Sequence, residues 1–579
     1  MIRISSVAGL VLAVVAFLGL AGPVAAGEEV PETGTADSYR PLPSPGIDIP
    51  VDLDGDGAST FADRYRFNLW LAEGGDLAAA IFQVKVVGNV IDLSDFFTRL
   101  QASLTPGEKW DDDEERREKG GDRREDDECK AHRQLLRGAL ARNETHVYGV
   151  DAVGIVNRGR RSFNDRKLRG LHSNGRACAD CHMASDNFQL SPANAAARFA
   201  ALQACRTKHP EADDPLFRPI DADDFRVNGA NASDFSNLTV NGLIRITFAL
   251  PATMRLVNPA TGQVTDETEV DVWRSVPSVY NVKLTGAEPN GIPWFRGPNV
   301  RGGYQLDARQ TTLQDQALGA LLAHAEVQHL PDQRLLDDIA AFQQELFSSD
   351  GVRAMSQAID QRAPVPDPDP VLTEEETTGK AVFARACGQC HGGPGQSNPT
   401  APVVVRFHNI QTQCPRPVDA INPATGLPFF PGYTGTPRWQ FDPCPPTLAR
   451  NARLYEVIRP NGQITRRASS DPGRSLLTGF ASLGAGPPPL VPPPLDDWQA
   501  LDVPQVRNVG KTAPYFHNNS AATLDDVLDH YEELFKFIAA TAPPPPAPRP
   551  PVISTDGVNV DRPFTALERP ALMAYLLKL

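Results

Sequence analysis

Two Cys-x-x-Cys-His pentapeptides constrain this chain more than any other feature: Cys178-Ala179-Asp180-Cys181-His182 and Cys387-Gly388-Gln389-Cys390-His391. At this spacing one turn carries two thiols with an imidazole beside them. In that arrangement the thiols form thioethers to the vinyl groups of a porphyrin, and the His becomes the proximal ligand of its iron. A redox dithiol or half of a zinc site competes for a single such motif. Two copies, each in its own repeat of an exported chain, read instead as two covalently bound haem c groups. Their holders are Cys178, Cys181 and His182 in the first copy, and Cys387, Cys390 and His391 in the second.

The repeat shows outside the motifs as well. Val276-Pro277-Ser278-Val279-Tyr280-Asn281-Val282 echoes Val503-Pro504-Gln505-Val506-Arg507-Asn508-Val509, and Thr312-Leu313-Gln314-Asp315 echoes Thr523-Leu524-Asp525-Asp526. Each copy ends in an apolar-periodic helix, Arg334 to Leu346 and Leu567 to Leu577. An ordered series of matches argues for two copies of one unit. The expected units are residues 150–350 and 371–579, joined by a linker over 351–370 that contains the proline-rich run Pro364 to Pro370. Further proline runs at 487–494 and 543–551 read as stiff loops of the second copy.

Residues 1–26 pair a basic Arg3 with an apolar run from Val7 to Leu20 and a small-residue exit at Val24-Ala25-Ala26. This reads as a secretory signal peptide cleaved after Ala26, because the run falls short of the roughly 20 residues a spanning helix needs. The expectation is a periplasmic or otherwise exported protein with no membrane span in its mature form. Residues 27–149 form an N-terminal extension. Within it, Asp52, Asp54, Asp56 and Asp63 stand at positions 1, 3, 5 and 12 of a window with Gly57 at position 6, the pattern of an EF-hand-type calcium loop. A charged stretch at 108–128 reads as a solvated insertion. The net charge of -15 over 579 residues argues against a nucleic-acid partner.

Four cysteines remain, Cys129, Cys205, Cys414 and Cys444, and an oxidising compartment allows three pairings. The pairs Cys129–Cys205 and Cys414–Cys444 keep each bridge within or beside one unit. Beyond Met1 the chain has Met183, Met254, Met355 and Met573, none of them near the expected distal segment of the second copy. A nitrogen or phenolate ligand is therefore expected on the second iron.

The paired motifs, together with Leu306-Asp307-Ala308-Arg309, Leu313 to Gly319 and Thr512-Ala513-Pro514-Tyr515-Phe516-His517-Asn518-Asn519-Ser520, resemble the bacterial di-haem cytochrome c peroxidases, a family that includes MauG-type enzymes. The resemblance covers about residues 150–579. It implies that the first haem is peroxidatic, with Gln316 and Glu326 on its distal side as the amide that orients peroxide and the carboxylate that shuttles its proton. Counting seven residues on from Leu524 gives Tyr531, the register of the family's second-haem distal ligand. The same count from Leu313 gives Ala320, which cannot ligate, so the first haem is expected to be open there. His517 is the rival for the second iron, since the segment around it also resembles di-haem rubber oxygenases with bis-His coordination, and His530 is a third candidate. The family's relay Trp is replaced by Leu306, leaving Trp273, Trp294 or Tyr304 as substitutes. No His stands between Met183 and Pro192 to occupy the first iron at rest, and Arg309 is expected either near the distal pocket or in a surface salt bridge.

The expected fold is mainly α, with two cytochrome c-like haem domains in tandem, an N-terminal extension and long Pro-rich loops. The expected function is reduction of hydrogen peroxide with electrons from a small cytochrome c or cupredoxin. The alternatives are a MauG-like or rubber-oxygenase-like enzyme that uses oxygen or peroxide on an organic or protein substrate, and a non-catalytic electron-transfer cytochrome.

Overall fold

Each copy of the repeat is built around a helix that meets its partner at a glycine, a relation visible in the computed structural model of the chain. The structure describes residues 51–52, 85–87, 90–92, 127–141, 154–168, 170–285, 303–369, 371–388, 390–393, 395–397, 407–416, 441–458, 462–479, 497–541 and 564–579. The signal segment, the charged stretch up to residue 126, both late proline runs and Asp54, Asp56 and Asp63 lie outside them. The chain divides into two compact units, and both Cys-x-x-Cys-His motifs belong to the second. In the first unit, β1 (Val51–Asp52) pairs parallel with β3 (Val90–Asp92), which pairs antiparallel with β2 (Lys85–Val87). Asp52 stands opposite Asp92 in that register.

The first half of the second unit contains six helices of interest. They are α1 (Asp127–Ala139), α2 (Ile155–Asn164), α3 (Cys178–Cys181), α4 (Pro192–Arg206), α5 (Leu313–Ala323) and α6 (Gln333–Gln344). Local chemistry starts them: Ser191 Oγ accepts from Asn194 N with Pro192 at the first position of α4, and Thr312 Oγ1 accepts from Asp315 N at 3.0 Å to cap α5. A disulfide, Cys129–Cys205, ties α1 to α4. Next come α7 (Asp350–Asp360), α8 (Glu374–Ala386), α9 (Leu524–Thr541) and α10 (Arg569–Lys578). Thr373 and Glu376 form a reciprocal capping box on α8, and Thr523 Oγ1 accepts from Asp526 N at 3.2 Å to cap α9. The echo between Thr312-Leu-x-Asp315 and Thr523-Leu-x-Asp526 is thus a pair of equivalent helix caps.

The equivalence extends through the core. Gly159 of α2 faces the backbone of Asp338 and the side chain of Phe342 on α6, while Gly379 of α8 faces the backbone of Ala571 and the side chain of Tyr575 on α10. Four residues after each glycine an aromatic ring meets that same partner edge-on, Phe163 with Phe342 at 5.2 Å and Phe383 with Tyr575 at 5.6 Å. Asn281 and Asn508 both have positive φ, 60° and 71°. Their N–H groups donate to the carbonyls of Leu346 (2.8 Å) and Leu579 (2.7 Å), so each repeat segment closes on the end of its own last helix.

Two features depart from the sequence expectation. Residues 351–370 are not a plain linker, because α7 fills their first half: Ser349 caps it, and Val352 and Met355 pack against Leu284 and Phe347. The described residues also form a mixed helix-and-strand fold, not a mainly α one. Strands β4 (Leu243–Ala249) and β6 (Glu269–Ser275) form an antiparallel pair. Strand β5 (Met254–Val257), from the first half, pairs with β8 (Arg453–Ile458) of the second half, which continues to β9 (Ile464–Ser469). A further short pair joins β7 (Phe407–His408) to β10 (Leu501–Asp502). The β-branched and aromatic content of these runs favours strands, and Phe248, Val272, Tyr455, Val457 and Trp498 form one core from both halves.

Candidate functional site

The four cysteines of the two motifs form no disulfide, whereas the other four are bridged as Cys129–Cys205 and Cys414–Cys444. Burial pushes the Cys178 thiol up to about 12, Cys181 to about 11 and Cys387 to about 12. Burial thus disfavours the thiolate form here, whereas a redox dithiol needs a thiolate favoured by its surroundings. In both motifs the His N–H donates to the carbonyl of the first Cys at 2.9 Å, so each motif closes as one turn. His182 Nδ1 donates to Phe188 O at 3.1 Å and His391 Nδ1 donates to Pro504 O at 3.0 Å. The carbonyl of Pro277, the counterpart of Pro504 in the repeat, also bears on His182. With Nδ1 committed to a carbonyl, Nε2 is the nitrogen each ring has left for a metal.

Asp180, inside the first motif, holds it in place. Fully buried, it accepts from Ala177 N (3.0 Å), Arg166 (2.8 Å) and Arg198 (3.2 Å), and Arg198 is in turn paired with Asp214.

Cys178, Cys181 and His182 open onto a mainly apolar cavity of about 150 Å³, walled by Phe163, Ile244, Ile246, Leu313 and Ile339 among others. Helix α5 supplies the facing wall with Gln316, Ala320 and His324, one stripe at i, i+4 spacing. Gln316 and Ala320 thus line the first cavity. Glu326 does not: α5 ends at Ala323, the chain turns through a left-handed Glu326 (φ 49°), and its exposed carboxylate accepts from Asn174 Nδ2 at 2.7 Å. Sequence reasoning missed His324, although extending the stripe by one more turn would have found it.

Cys387, Cys390 and His391 open onto a second cavity of about 390 Å³. Tyr531 and His517 both line it. Burial lowers His517 to about 4 and raises the Tyr531 phenol, so both are neutral at pH 7. His517 Nδ1 shares a hydrogen bond with Thr412 Oγ1 (3.2 Å), and its Nε2 lies 4.0 Å from Asp471. His530 is turned away, donating to Ile410 O at 2.6 Å between the rings of Phe441 and Phe516. His408, which the sequence did not single out, also lines this cavity with Nε2 3.7 Å from Cys390 Sγ.

The two cavities share a wall that includes Ser275, Pro277, Tyr304, Gln305 and Leu306. Tyr304 is thus the aromatic of the substitutes for the missing Trp that borders both. Trp273 packs instead with Leu243, Cys414 and Leu448, and Trp294 lies outside the described residues. Beside the wall, Arg274 donates to both oxygens of Asp471 (2.7 and 3.0 Å) and to Asp307, which Arg309 also reaches at 2.8 Å. Arg309 is therefore buried in an ion network and not at the surface. Burial would raise the Asp307 carboxyl, but Arg309 and Arg274 bring it down to about 2.

Each motif thus offers what a c-type haem requires: two thiols and one imidazole with Nε2 left over, opening on a mostly apolar hollow. No protein-family model matches the chain, and no curated protein does. Among solved structures it is similar to a MauG-like protein associated with microbial copper homeostasis, with 18% identity over 75% of this chain and 91% of that one and a TM-score of 0.31. It is also similar to the Kuenenia stuttgartiensis hydrazine synthase, with 14% identity over 77% and 92% of the two chains and a TM-score of 0.29. Among the described residues no helix is long and apolar enough to cross a membrane.

Proposed function

We propose that this chain is an exported di-haem c-type oxidoreductase that reduces hydrogen peroxide with electrons from a small cytochrome c or cupredoxin. The observation that supports it most directly is the duplicated site, in which each pair of thiols shares a turn with a His whose Nδ1 is tied to a backbone carbonyl. In this reading the two halves are cytochrome c-like domains, and calcium binds at Asp52, Asp54, Asp56 and Asp63.

A haem held at each motif would supply a redox-active iron and a macrocycle through which electrons pass. The protein does the rest. The carbonyls of Phe188 and Pro504 fix the planes of His182 and His391 and make their Nε2 atoms better donors. Gln316 offers an amide that orients a small polar substrate in the first cavity, and the apolar walls exclude bulk water. Tyr531 or His517 would offer a second ligand to a haem held at His391, which would leave that half to relay electrons, and Tyr304 stands in the wall between the cavities.

Exposure of Glu326 favours a second reading, oxidation of an organic or protein substrate, because the carboxylate assigned to peroxide cleavage lies outside the cavity. The test is the purified mature protein. A pyridine haemochrome spectrum should show two haem c per chain, falling to one in Cys178→Ala/Cys181→Ala. Ferric spectra should show one high-spin and one low-spin centre. Rapid peroxide-dependent oxidation of a reduced small cytochrome supports the peroxidase. Its absence alongside substrate oxidation supports the second reading, and two low-spin, peroxide-inert haems would overturn both.

A further inference from the structure

We propose that His324 is the acid–base residue of the first cavity, taking the proton of any acidic small molecule that binds opposite His182; this rests on the haem reading above. Four observations lead there. First, His324 lines the same cavity as His182, one turn beyond Ala320 on the stripe that starts at Gln316. Second, its backbone is clamped: its carbonyl accepts from Asn174 Nδ2 at 3.0 Å and Arg176 Nη1 at 3.2 Å, while Asn174 N donates to the next carbonyl, Ala325 O, at 2.9 Å. The segment leading into the first motif thus pins the end of α5, and the ring is delivered to the cavity from a fixed point. Third, among the described residues its ring nitrogens make no hydrogen bond, so the imidazole is not committed to holding the fold.

The fourth observation is elimination along the cavity wall. Arg176 and Arg274 stay charged and are ion-paired with Asp221 and with Asp307 and Asp471. Cys178, Cys181 and His182 are consumed by attachment. Gln316 and Gln343 cannot accept a proton, and the Tyr304 phenol is a poor base at pH 7. His324 is what remains. The charged and titratable groups that act on it are Asp221, which raises its basicity, and Arg176, Arg309 and His182, which lower it; burial dominates and brings it to about 4. The ring is therefore neutral and able to accept.

The step is a proton transfer: the H–X bond of the entering molecule breaks, the proton goes to a ring nitrogen of His324, and X⁻ keeps the electron pair, which it would then have free to offer a metal held at His182. Hydrogen peroxide qualifies as HX, and hydrogen cyanide is the convenient probe.

The experiment measures the association rate of cyanide with the ferric first haem by stopped flow, in protein whose haem content is set by pyridine haemochrome. His324→Ala and His324→Gln should each slow association by about 10²-fold, the size of a positioned acid–base contribution. Free imidazole should restore the rate in His324→Ala, an effect that a structural role would not produce. An unchanged rate in both His324 variants overturns the proposal, as does a loss of first-site haem in both, which would assign the residue to the fold. A parent protein without haem at the first motif overturns the functional reading along with it.

Discussion

Gly159 lies so close to Asp338 that a Cβ on the glycine would stand 1.7 Å from the Asp338 carbonyl oxygen. No side-chain movement relieves a clash with backbone, so α2 and α6 can cross at this distance only through hydrogen. Gly159→Ala should destabilise the protein by at least about 3 kcal/mol, the upper end of overpacking costs. Gly379→Ala should do the same in the second half, where an added Cβ would fall 1.9 Å from Ala571 O. Urea titrations followed by circular dichroism give the check. A loss under 1 kcal/mol (roughly a surface effect) in either variant would show that the helices can part without cost.

Asp180 carries a second prediction. It is fully buried between Arg166 and Arg198 and also accepts from Ala177 N. Asp180→Asn keeps the shape but leaves Arg198 with Asp214 as its remaining carboxylate, and breaking a buried pair in this way typically costs about 3–5 kcal/mol. Because the residue lies between Cys178 and Cys181, the motif turn should loosen as well. The expected outcome is a lower melting temperature together with reduced haem content at the first motif and normal content at the second. Equal loss at both motifs would disconnect Asp180 from its own turn.

How far the sequence could be read follows from where each contact closes. The repeat was legible because its matched residues do matched local work: Pro277 and Pro504 present carbonyls to the proximal imidazoles, Asn281 and Asn508 take left-handed turns, and Thr312 and Thr523 cap helices. The strands were not. Met254–Val257 finds its partner at Leu454–Val457, far along the chain, and the partner strand buries Leu454 to Val457 in one run, so its period-2 signal is faint. Glu326, assigned only by its spacing from Gln316, follows the end of α5 at Ala323, so the helix does not carry its side chain to the cavity. His408 reaches its cavity only through the pairing of Phe407–His408 with Leu501–Asp502, which no local pattern announces.

The disulfide between Cys129 and Cys205 closes a separation of 76 residues and joins α1 to α4, next to the buried contact of His132 with Asp214. Replacing both cysteines with Ser should cost about 2–4 kcal/mol. Since α1 also reaches the motif region, where Arg166 donates to Leu136 O at 3.2 Å, its release should raise the proteolytic sensitivity of residues 127–141 first. Limited proteolysis with mass mapping checks this, and cleavage that begins elsewhere would place the weak point outside α1.

Acid should unfold this protein through two carboxylates in particular. Asp214 and Asp307 are both brought to about 2 from an ordinary 3.8. Burial alone would raise each. His132 and Arg198 reverse that at Asp214, and Arg309 and Arg274 at Asp307. A carboxyl whose folded pKa is depressed contributes stability that is complete above its unfolded value and is lost as the pH falls through the folded one. The window is therefore about pH 4 to 2, with each group contributing about 2 kcal/mol. Unfolding free energies measured from pH 6 downwards should hold steady until near pH 4, as far as these two groups are concerned, and then fall. In Asp214→Asn the parent should lose its advantage over the variant across that same window, because the amide has no proton to gain. A difference between parent and variant that stays constant from pH 4 to pH 2 would mean that the folded protein does not hold the Asp214 carboxyl below its ordinary value.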